Sequence, residues 1–574
     1  MNHPFLRYFH FIAENNFYLQ AQVLLYQESI DNMKQRFAKA SALALIICLG
    51  LSACHKKPTT DLSKENIIPK PTSVTADGSS FSLTDDTNIY IEGDNKELKD
   101  VGQYLADILN PSTGFNVEVK STTGAPASGN IYLALATDPS LGDEGYDLKI
   151  TEDLITLSAN KPAGIFFGIQ TLRQLLPPAI ELTTVQKTPW EIASGTIHDA
   201  PTYAWRGTML DVARHFFSVE EVKHYIDLIS LYKMNVMHLH LSDDQGWRIE
   251  IKSWPNLATT GGLTEVGGGK GGYYTQEQYA DIVAYAKSRF MTIVPEIDLP
   301  GHINSALASY GELNGGTVVP LEGRYKGAIP IDNILDGKNK PTQLYTGIDV
   351  GWSTLRIEKE ATFKFVDDVM REVSAITPGP YLHIGGDEAA ATKKADYIAF
   401  INRFKDMVKT HGKIMIGWEE IAQGDINSDV VVQNWHSTEH SKVAAEKGSK
   451  IIMSPATKAY LDMQYDSLSR IGLHWASYIE VDSAYIWDPA TQVEGLPQEN
   501  ILGVEAPLWS ETVTNMDDIE YLAFPRIPGY AEIGWSVPAS RNWDEYKVRL
   551  GHHAPRFKAL NIDYYKSKLV PWAE

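Results

Sequence analysis

Eight short apolar runs, several of them separated by segments of helical periodicity, constrain this chain more than any other feature. The runs are Trp205–Leu210, Val236–Leu241, Thr292–Ile297, Tyr381–Gly385, Lys413–Gly417, Val430–Asn434, Lys450–Met453 and Leu502–Ala506. Between several of them, at Val219–Tyr232, Gln276–Arg289, Thr362–Ile376 and Ala395–Lys409, apolar residues recur at the spacing of one helix face. Strands that read as short continuous apolar runs are buried on both faces, the pattern of a parallel sheet covered by helices. Eight such strands alternating with helices predict an α/β chain whose residues 201–541 form a (β/α)8 TIM barrel. A doubly wound open sheet is the alternative. No G-x-G-x-x-G follows the first run, which counts against it.

The texture before residue 201 differs. Residues 67–200 carry strand patterns at Asn88–Ile91 and Asn130–Leu135 and amphipathic helix patterns at Leu98–Leu109 and Gly164–Leu176. They predict a small α+β domain, and no cluster of convergent polar groups marks it as more than structural. Residues 542–574 read as a helix and tail packed on the barrel. Residues 55–66 are a polar tether. Within residues 1–54, Lys34, Arg36 and Lys39 precede an apolar run from Ala40 to Leu51 that is too short to span a bilayer. This order reads as an export signal starting at Met33. Leu51-Ser52-Ala53-Cys54 resembles the bacterial lipobox, which makes Cys54 the expected lipidation site and the protein an exported, membrane-anchored lipoprotein, held to the membrane only through its lipid.

The only cysteines are Cys48 and Cys54, so the folded body has neither a disulfide nor thiolate chemistry. The formal net charge of −21 disfavours nucleic acid as a partner. Aromatic residues are 10% of the chain, with 13 Trp and 28 Tyr, enough to wall a carbohydrate cleft as well as fill a core.

In a barrel of this kind, functional residues cluster at the C-terminal strand ends. Arg206 and Asp211 go with the first strand, Asp243 and Asp244 with the second, and Glu296, Asp298 and His302 with the third. The fourth ends in His383-Ile384-Gly385-Gly386-Asp387-Glu388. The fifth leads to Trp418-Glu419-Glu420, the sixth to Trp435-His436, the seventh to Tyr460-Leu461-Asp462 and the eighth to Trp509-Ser510-Glu511. Indoles stack on sugar C–H faces and carboxylates hold hydroxyls, so this convergence describes a sugar pocket. Asp387 and Glu388 are adjacent carboxylates after a glycine pair that frees the backbone to turn. In a confined site they cannot both ionise cheaply, so one pKa should rise, leaving one proton donor and one fixed anion. The alternative is that either residue merely caps the following helix.

The stretch His383–Glu388 resembles the motif of the family 20 glycoside hydrolases, the β-N-acetylhexosaminidases, and the resemblance runs in order from about Ile67 to the C-terminus. It implies an exo-acting, retaining enzyme that removes terminal GlcNAc or GalNAc from oligosaccharides or glycans without cofactor or metal. The acetamido group of the substrate is the expected internal nucleophile. Asp387 then orients and polarises that group, and Glu388 is the general acid/base. The resemblance further implies Trp418, Trp435 and Trp509 as walls around the acetamido methyl, with Trp475 as a further wall, and Tyr460 as donor to the acetamido oxygen. Arg206, Asp462 and Glu511 clamp hydroxyls, and Asp243 and His302 form a relay toward the acid, with His383 nearby.

Two rival readings remain. His238-Leu239-His240 places two imidazoles on one strand face ahead of Asp243, as in metal-dependent barrel hydrolases, although further histidine ligands from later strands cannot be assembled. A non-catalytic glycan-binding lipoprotein would keep the indoles and could dispense with the acid. For the anchor, Cys54→Ser is expected to release the protein from membranes. Continued fractionation with membranes after a high-salt wash would contradict lipidation at this position.

Overall fold

The structure is a computed structural model and describes residues 22–24, 26–27, 33–34, 60–321 and 339–574. Cys54 and the apolar stretch before it lie outside the described residues. Residues 60–574 form one compact unit. None of the described helices is long and apolar enough to cross a membrane.

Among the described residues, seven strands form one mixed sheet and eight close a barrel. The sheet comprises β1 (Ser73–Ser82), β2 (Ile89–Glu92), β3 (Val119–Thr122), β4 (Asn130–Leu135), β5 (Tyr146–Ile150), β6 (Leu154–Ala159) and β7 (Glu191–Asp199), ordered β1-β7-β5-β6-β4-β2-β3. Helices α1 (Lys96–Thr113) and α2 (Pro162–Leu175) pack against it. Two helical glycines set the approach: a Cβ on Gly168 would fall 2.4 Å from Leu157 Cδ1, and one on Gly102 would fall 3.1 Å from Val119 Cγ1. The expected α+β domain is therefore present, with its own apolar core.

The barrel strands are β8 (Trp205–Asp211), β9 (Val236–His240), β10 (Thr292–Glu296), β11 (Tyr381–His383), β12 (Ile414–Trp418), β13 (Val430–Asn434), β14 (Lys450–Met453) and β15 (Ile501–Leu508). All are parallel to their neighbours, and β15 pairs with β8 to close the ring. The expected (β/α)8 barrel is thus the observed one. Every residue of β8, β9 and β13 is buried, as continuous apolar runs require. Covering helices begin where the sequence caps them. Ser218 and Glu221 form a reciprocal capping box at α3 (Val219–Ser230), and Thr275 and Gln278 do so at α4 (Gln276–Lys287).

Period-2 alternation stacks the barrel interior in layers. Trp205, Val236, Val294, Ile416, Val431 and Ile452 form an apolar floor. Two residues further along the strands come His238, Glu296, Trp418 and Gln433, so the next layer up is polar. The C-terminal segment, helical over Trp543–Gly551 and Ala554–Ala559, packs against both barrel and small domain. Arg549 pairs with Glu532, 2.7 Å away, and Arg556 pairs with Glu181 of the small domain.

Arg206 is not at the sugar-binding end. It is the second residue of β8, at the N-terminal mouth of the barrel against the small domain. Its guanidinium donates to Glu144 Oε2 (2.9 Å), Tyr203 O (2.9 Å) and Lys233 O (3.0 Å) and lies 4.9 Å from the Trp535 ring centre. Lys233 beside it reaches Tyr146 OH (2.9 Å) and Asp199 Oδ2 (3.1 Å). Barrel cations thus meet small-domain anions in a buried seam. Breaking one partner of such a pair leaves an uncompensated charge. Arg206→Met is expected to lower unfolding stability by about 3 kcal/mol while turnover by the folded fraction stays at the wild-type level. Denaturant unfolding alongside active-site-normalised rates checks both parts.

Candidate active site

The polar layer above the floor is one connected network. Glu296 Oε2 lies 2.5 Å from His240 Nδ1 and 3.1 Å from His238 Nε2, and Glu296 Oε1 lies 3.0 Å from His383 Nδ1. The Trp418 indole N–H donates to Glu296 Oε1 at 2.9 Å. Glu505 takes the other side of His238, at 2.9 Å, with donors from Trp205 and Gln433. Burial alone would raise Glu296, but His383, His240 and His238 outweigh it and hold the carboxyl well below its usual range. Burial works against the His238 cation too, yet Glu505 and Glu296 raise it to about 9. Each imidazole of His238-Leu239-His240 therefore lies between two carboxylates, the arrangement of an ion-paired support. Groups able to offer three ligand atoms within 4.8 Å of one another include His238/Glu296/His383 and Asp298/His302/Asp387.

Above this layer the catalytic candidates come together. The chain leaves β11 through Gly385 (φ +66°) and Gly386 (φ +98°), both in the left-handed region. A Cβ on Gly385 would stand 1.8 Å from Asp298 Oδ1, so only glycine fits. The same Asp298 oxygen accepts the Gly386 N–H at 3.0 Å, and Tyr397 OH donates to Gly386 O at 2.6 Å. Glu388, a non-glycine residue, is held at φ +44°, and His302 at φ +48°. Backbone strain of this kind persists only where surrounding contacts enforce it.

Asp387 is buried, and its Oδ1 has no protein partner. Burial pushes its carboxyl up to about 6, Glu388 and Glu296 adding to the rise and His302 opposing it. Burial and then Asp387 drive Asp298 well above the carboxylate range, so Asp298 carries the proton where these two acids meet. The raised carboxyl is thus that of Asp387, the residue the resemblance makes the anion and not the proton donor. His302 stands between Asp243 and the two carboxyls: Nδ1 is 3.2 Å from Asp243 Oδ1, and Nε2 is 3.4 Å from Glu388 Oε2 and 3.7 Å from Asp387 Oδ2.

The pocket walls are aromatic. Trp418 and Trp509 lie 5.8 Å apart between ring centres, Trp509 and Tyr460 6.2 Å, and Tyr460 and Trp435 6.5 Å at 18°. Trp475 closes the series 6.0 Å from Tyr460 and is 55% exposed at the rim. Burial pushes the Tyr460 hydroxyl well up, with the Trp509 indole bonded to it, so it stays a neutral O–H donor. On the far side, both carboxylate oxygens of Asp462 and Oε2 of Glu511 are buried without protein partners. Burial raises both acids. Buried orphan acceptors of this kind are what ligand hydroxyls satisfy.

The arginine of the site is Arg214, not Arg206. Its Nη2 is 2.7 Å from Asp243 Oδ2, its Nη1 is 3.5 Å from Asp211 Oδ2, and its guanidinium lies 4.8 Å from the Trp509 ring centre. Burial would lower its pKa, but Asp243, Asp211, Glu511 and Asp387 together hold it well above normal. Asp211 accepts the N–H groups of Ala213 and Arg214 and so folds that loop back over the strand end. Arg214, Asp298 and Glu296 are site residues to which reasoning from the sequence assigned no role. Glu419 supports the wall from below: it accepts the N–H groups of Trp435, His436 and Ser437 and so holds the turn that presents Trp435.

The family profile for the glycosyl hydrolase family 20 catalytic domain matches residues 203–399 and 393–538, and that for domain 2 of the same family matches residues 64–200. A β-N-acetylhexosaminidase of Cellulomonas fimi is 38% identical over 510 residues, 88% of this chain and 97% of that one. A mutant β-hexosaminidase of Streptomyces plicatus, solved in complex with its product GlcNAc, superposes with a TM-score of 0.83 at 48% identity, over 90% of this chain and 99% of that one. An exo β-N-acetylglucosaminidase of Vibrio harveyi, solved with N-acetylglucosamine, gives a TM-score of 0.73 at 28% identity, over 91% and 81%.

Asp387 yields a stability test that is independent of turnover. Its folded pKa lies above the ordinary 3.8 of an aspartate, so its contribution to stability is complete below about 4 and is lost as pH rises toward 6. Asp387→Asn, which does not titrate, is expected to melt at a higher temperature than wild type at about pH 7. That gap should close as the pH falls below about 4. An advantage independent of pH would mean that the carboxyl is not strained in the folded state.

Proposed function

The chain belongs to glycoside hydrolase family 20, and from that membership and the pocket geometry we infer that it is an exo-acting β-N-acetylhexosaminidase releasing terminal GlcNAc or GalNAc. The observation that carries the mechanism is the buried, unpartnered Asp387 Oδ1 beside an enclosure of Trp418, Trp435, Trp509 and Tyr460. An acetamido group supplies what such a site lacks: an N–H for the carboxylate, a carbonyl for the tyrosine hydroxyl and a methyl for the indoles.

Two adjacent carboxylates on one strand end are poorly placed to straddle a glycosidic bond as acid and nucleophile. The family is an exception to that arrangement, using the substrate's own acetamido oxygen as nucleophile. In the proposed reaction that oxygen attacks the anomeric carbon and gives an oxazolinium intermediate. Asp387, ionised above about 6, holds the acetamido N–H and offsets the positive charge that grows on nitrogen. Glu388 protonates the departing glycosidic oxygen, then takes a proton from the water that opens the intermediate. Its greater exposure suits a group that must meet both leaving group and water. Asp243 and His302 orient Glu388, while Arg214, Asp462 and Glu511 take up sugar hydroxyls. Glycans ending in N-acetylhexosamine are the proposed partners, met by a lipid-anchored protein outside the cytoplasm.

Single-turnover cleavage tests the division of roles. Glu388→Gln should abolish cleavage of chitobiose yet spare much of the first step on an activated aryl N-acetyl-β-glucosaminide, whose leaving group needs no proton. Asp387→Ala should depress both substrates by ~10²-fold or more, the scale seen when one charge-stabilising group is removed. Rescue of Asp387→Ala by the aryl leaving group as full as that of Glu388→Gln would overturn the assignment.

A further inference from the structure

Each pocket indole except the exposed Trp475 has its N–H tied down, but not by equivalent partners. Trp418 is tied to Glu296 inside the barrel, and Trp509 to the Tyr460 hydroxyl. Trp435 donates instead to Glu420 Oε2, at 3.1 Å, from a residue that no step above uses. Glu420 lies in the short 3-10 turn Glu419–Gln423 after β12. It lines a cavity of about 270 Å³ with Gly386, Glu388, Tyr397 and Lys394. Its carboxyl therefore touches the acetamido wall on one side and opens on the other to the cavity that Glu388 also lines.

We propose that Glu420 is a positioning residue for N-acyl recognition, fixing the Trp435 indole at the distance from Trp509 and Tyr460 that accepts a methyl group and rejects longer acyl chains. This rests on the hexosaminidase reading of the site. Trp435 is only half-buried, the rings of His436, Trp475 and Tyr460 stand 5.2, 6.1 and 6.5 Å from it, and the hydrogen bond of its indole N–H goes to Glu420. The turn held by Glu419 places the Trp435 backbone, and the bond from Glu420 places the ring. The two neighbouring glutamates thus set one wall by two independent contacts. Burial, then Asp387 and Glu419, raise the Glu420 carboxyl to about 8, so near neutral pH it is uncharged and accepts through its carbonyl oxygen. A neutral acceptor is what the indole needs, and an uncharged group adds no repulsion against Asp387.

The experiment compares kcat/KM for aryl N-acetyl- and N-butanoyl-β-glucosaminides in wild type, Glu420→Gln and Glu420→Leu. Glu420→Gln keeps a neutral carbonyl acceptor and should retain the wild-type preference for N-acetyl. Glu420→Leu lacks an acceptor and should narrow that preference by about tenfold, the scale of one hydrogen bond to a buried group, chiefly through a rise in KM for the N-acetyl substrate. In a Trp435→Phe background, which has no indole N–H, Glu420→Leu should produce no further narrowing. A fall in both rates with the preference unchanged, equal behaviour of the Gln and Leu variants, or undiminished narrowing in the Trp435→Phe background would each overturn the proposal. Wild-type protein inactive on the N-acetyl substrate would instead overturn the function reading, which keeps the two failures distinct.

Discussion

A carboxylate without solvent, Glu296, is the group on which the site depends. An unpaired charge in a barrel interior is too costly to persist, so Glu296 must be compensated: His240 and the Trp418 indole are hydrogen-bonded to it, and the imidazoles of His238 and His383 stand 3.1 and 3.0 Å away. Because those groups come from β9, β11 and β12, one buried charge holds the upper ends of neighbouring strands in register. Glu505 repeats the device across His238. Both carboxylates are held low, His238 and His240 are held high, and burial pushes His383 down, so two anions face two cations. The layer is close to neutral overall, and the pocket floor above it stays dry without carrying a net charge.

That neutrality lets the pocket above hold acids in different states. Asp387 and Asp298 meet in a buried space where one proton must be shared. Asp298, the more deeply buried of the two, is raised well above the carboxylate range and keeps it. The anion is therefore left on the residue whose free oxygen faces the pocket. Gly385 makes this meeting possible, since any side chain there would occupy the place of the Asp298 carboxyl. The glycine pair is thus explained less by turn geometry than by the close approach of a second acid.

Much of this was legible from the amino-acid sequence, and the exceptions have physical reasons. The strands and helices follow from apolar periodicity, because a barrel strand buried on both faces must be apolar along its length. The convergence of Asp387, Glu388, Trp418, Trp435, Tyr460, Asp462, Trp509 and Glu511 follows from reading residues at C-terminal strand ends. Arg206 broke that same rule. It stands second in a strand that runs to Asp211, so it belongs to the opposite mouth, where Glu144 and Lys233 O receive it. Arg214, three residues after Asp211, occupies the position the rule describes. Glu296 and Asp298 were visible as strand-end acids, but their partners come from other strands. Which acid would keep the proton depended on burial, and composition does not encode that.

The gradient of burial through the pocket suits the division of labour proposed for Asp387 and Glu388. Trp418 is 1% exposed, Trp509 8% and Trp475 55%, so the enclosure is dry at its base and wet at its rim. Charge stabilisation gains strength in the dry region, where the effective dielectric is low and the dipoles need not reorganise. Proton transfer to a leaving group and activation of water require the opposite, a position that both can reach. The side chains of Asp387 and Glu388 are 11% and 36% exposed although the residues are adjacent. Their carboxylates converge on His302 Nε2, at 3.7 Å from Asp387 and 3.4 Å from Glu388, so the two groups share one neighbour and differ in their access to solvent.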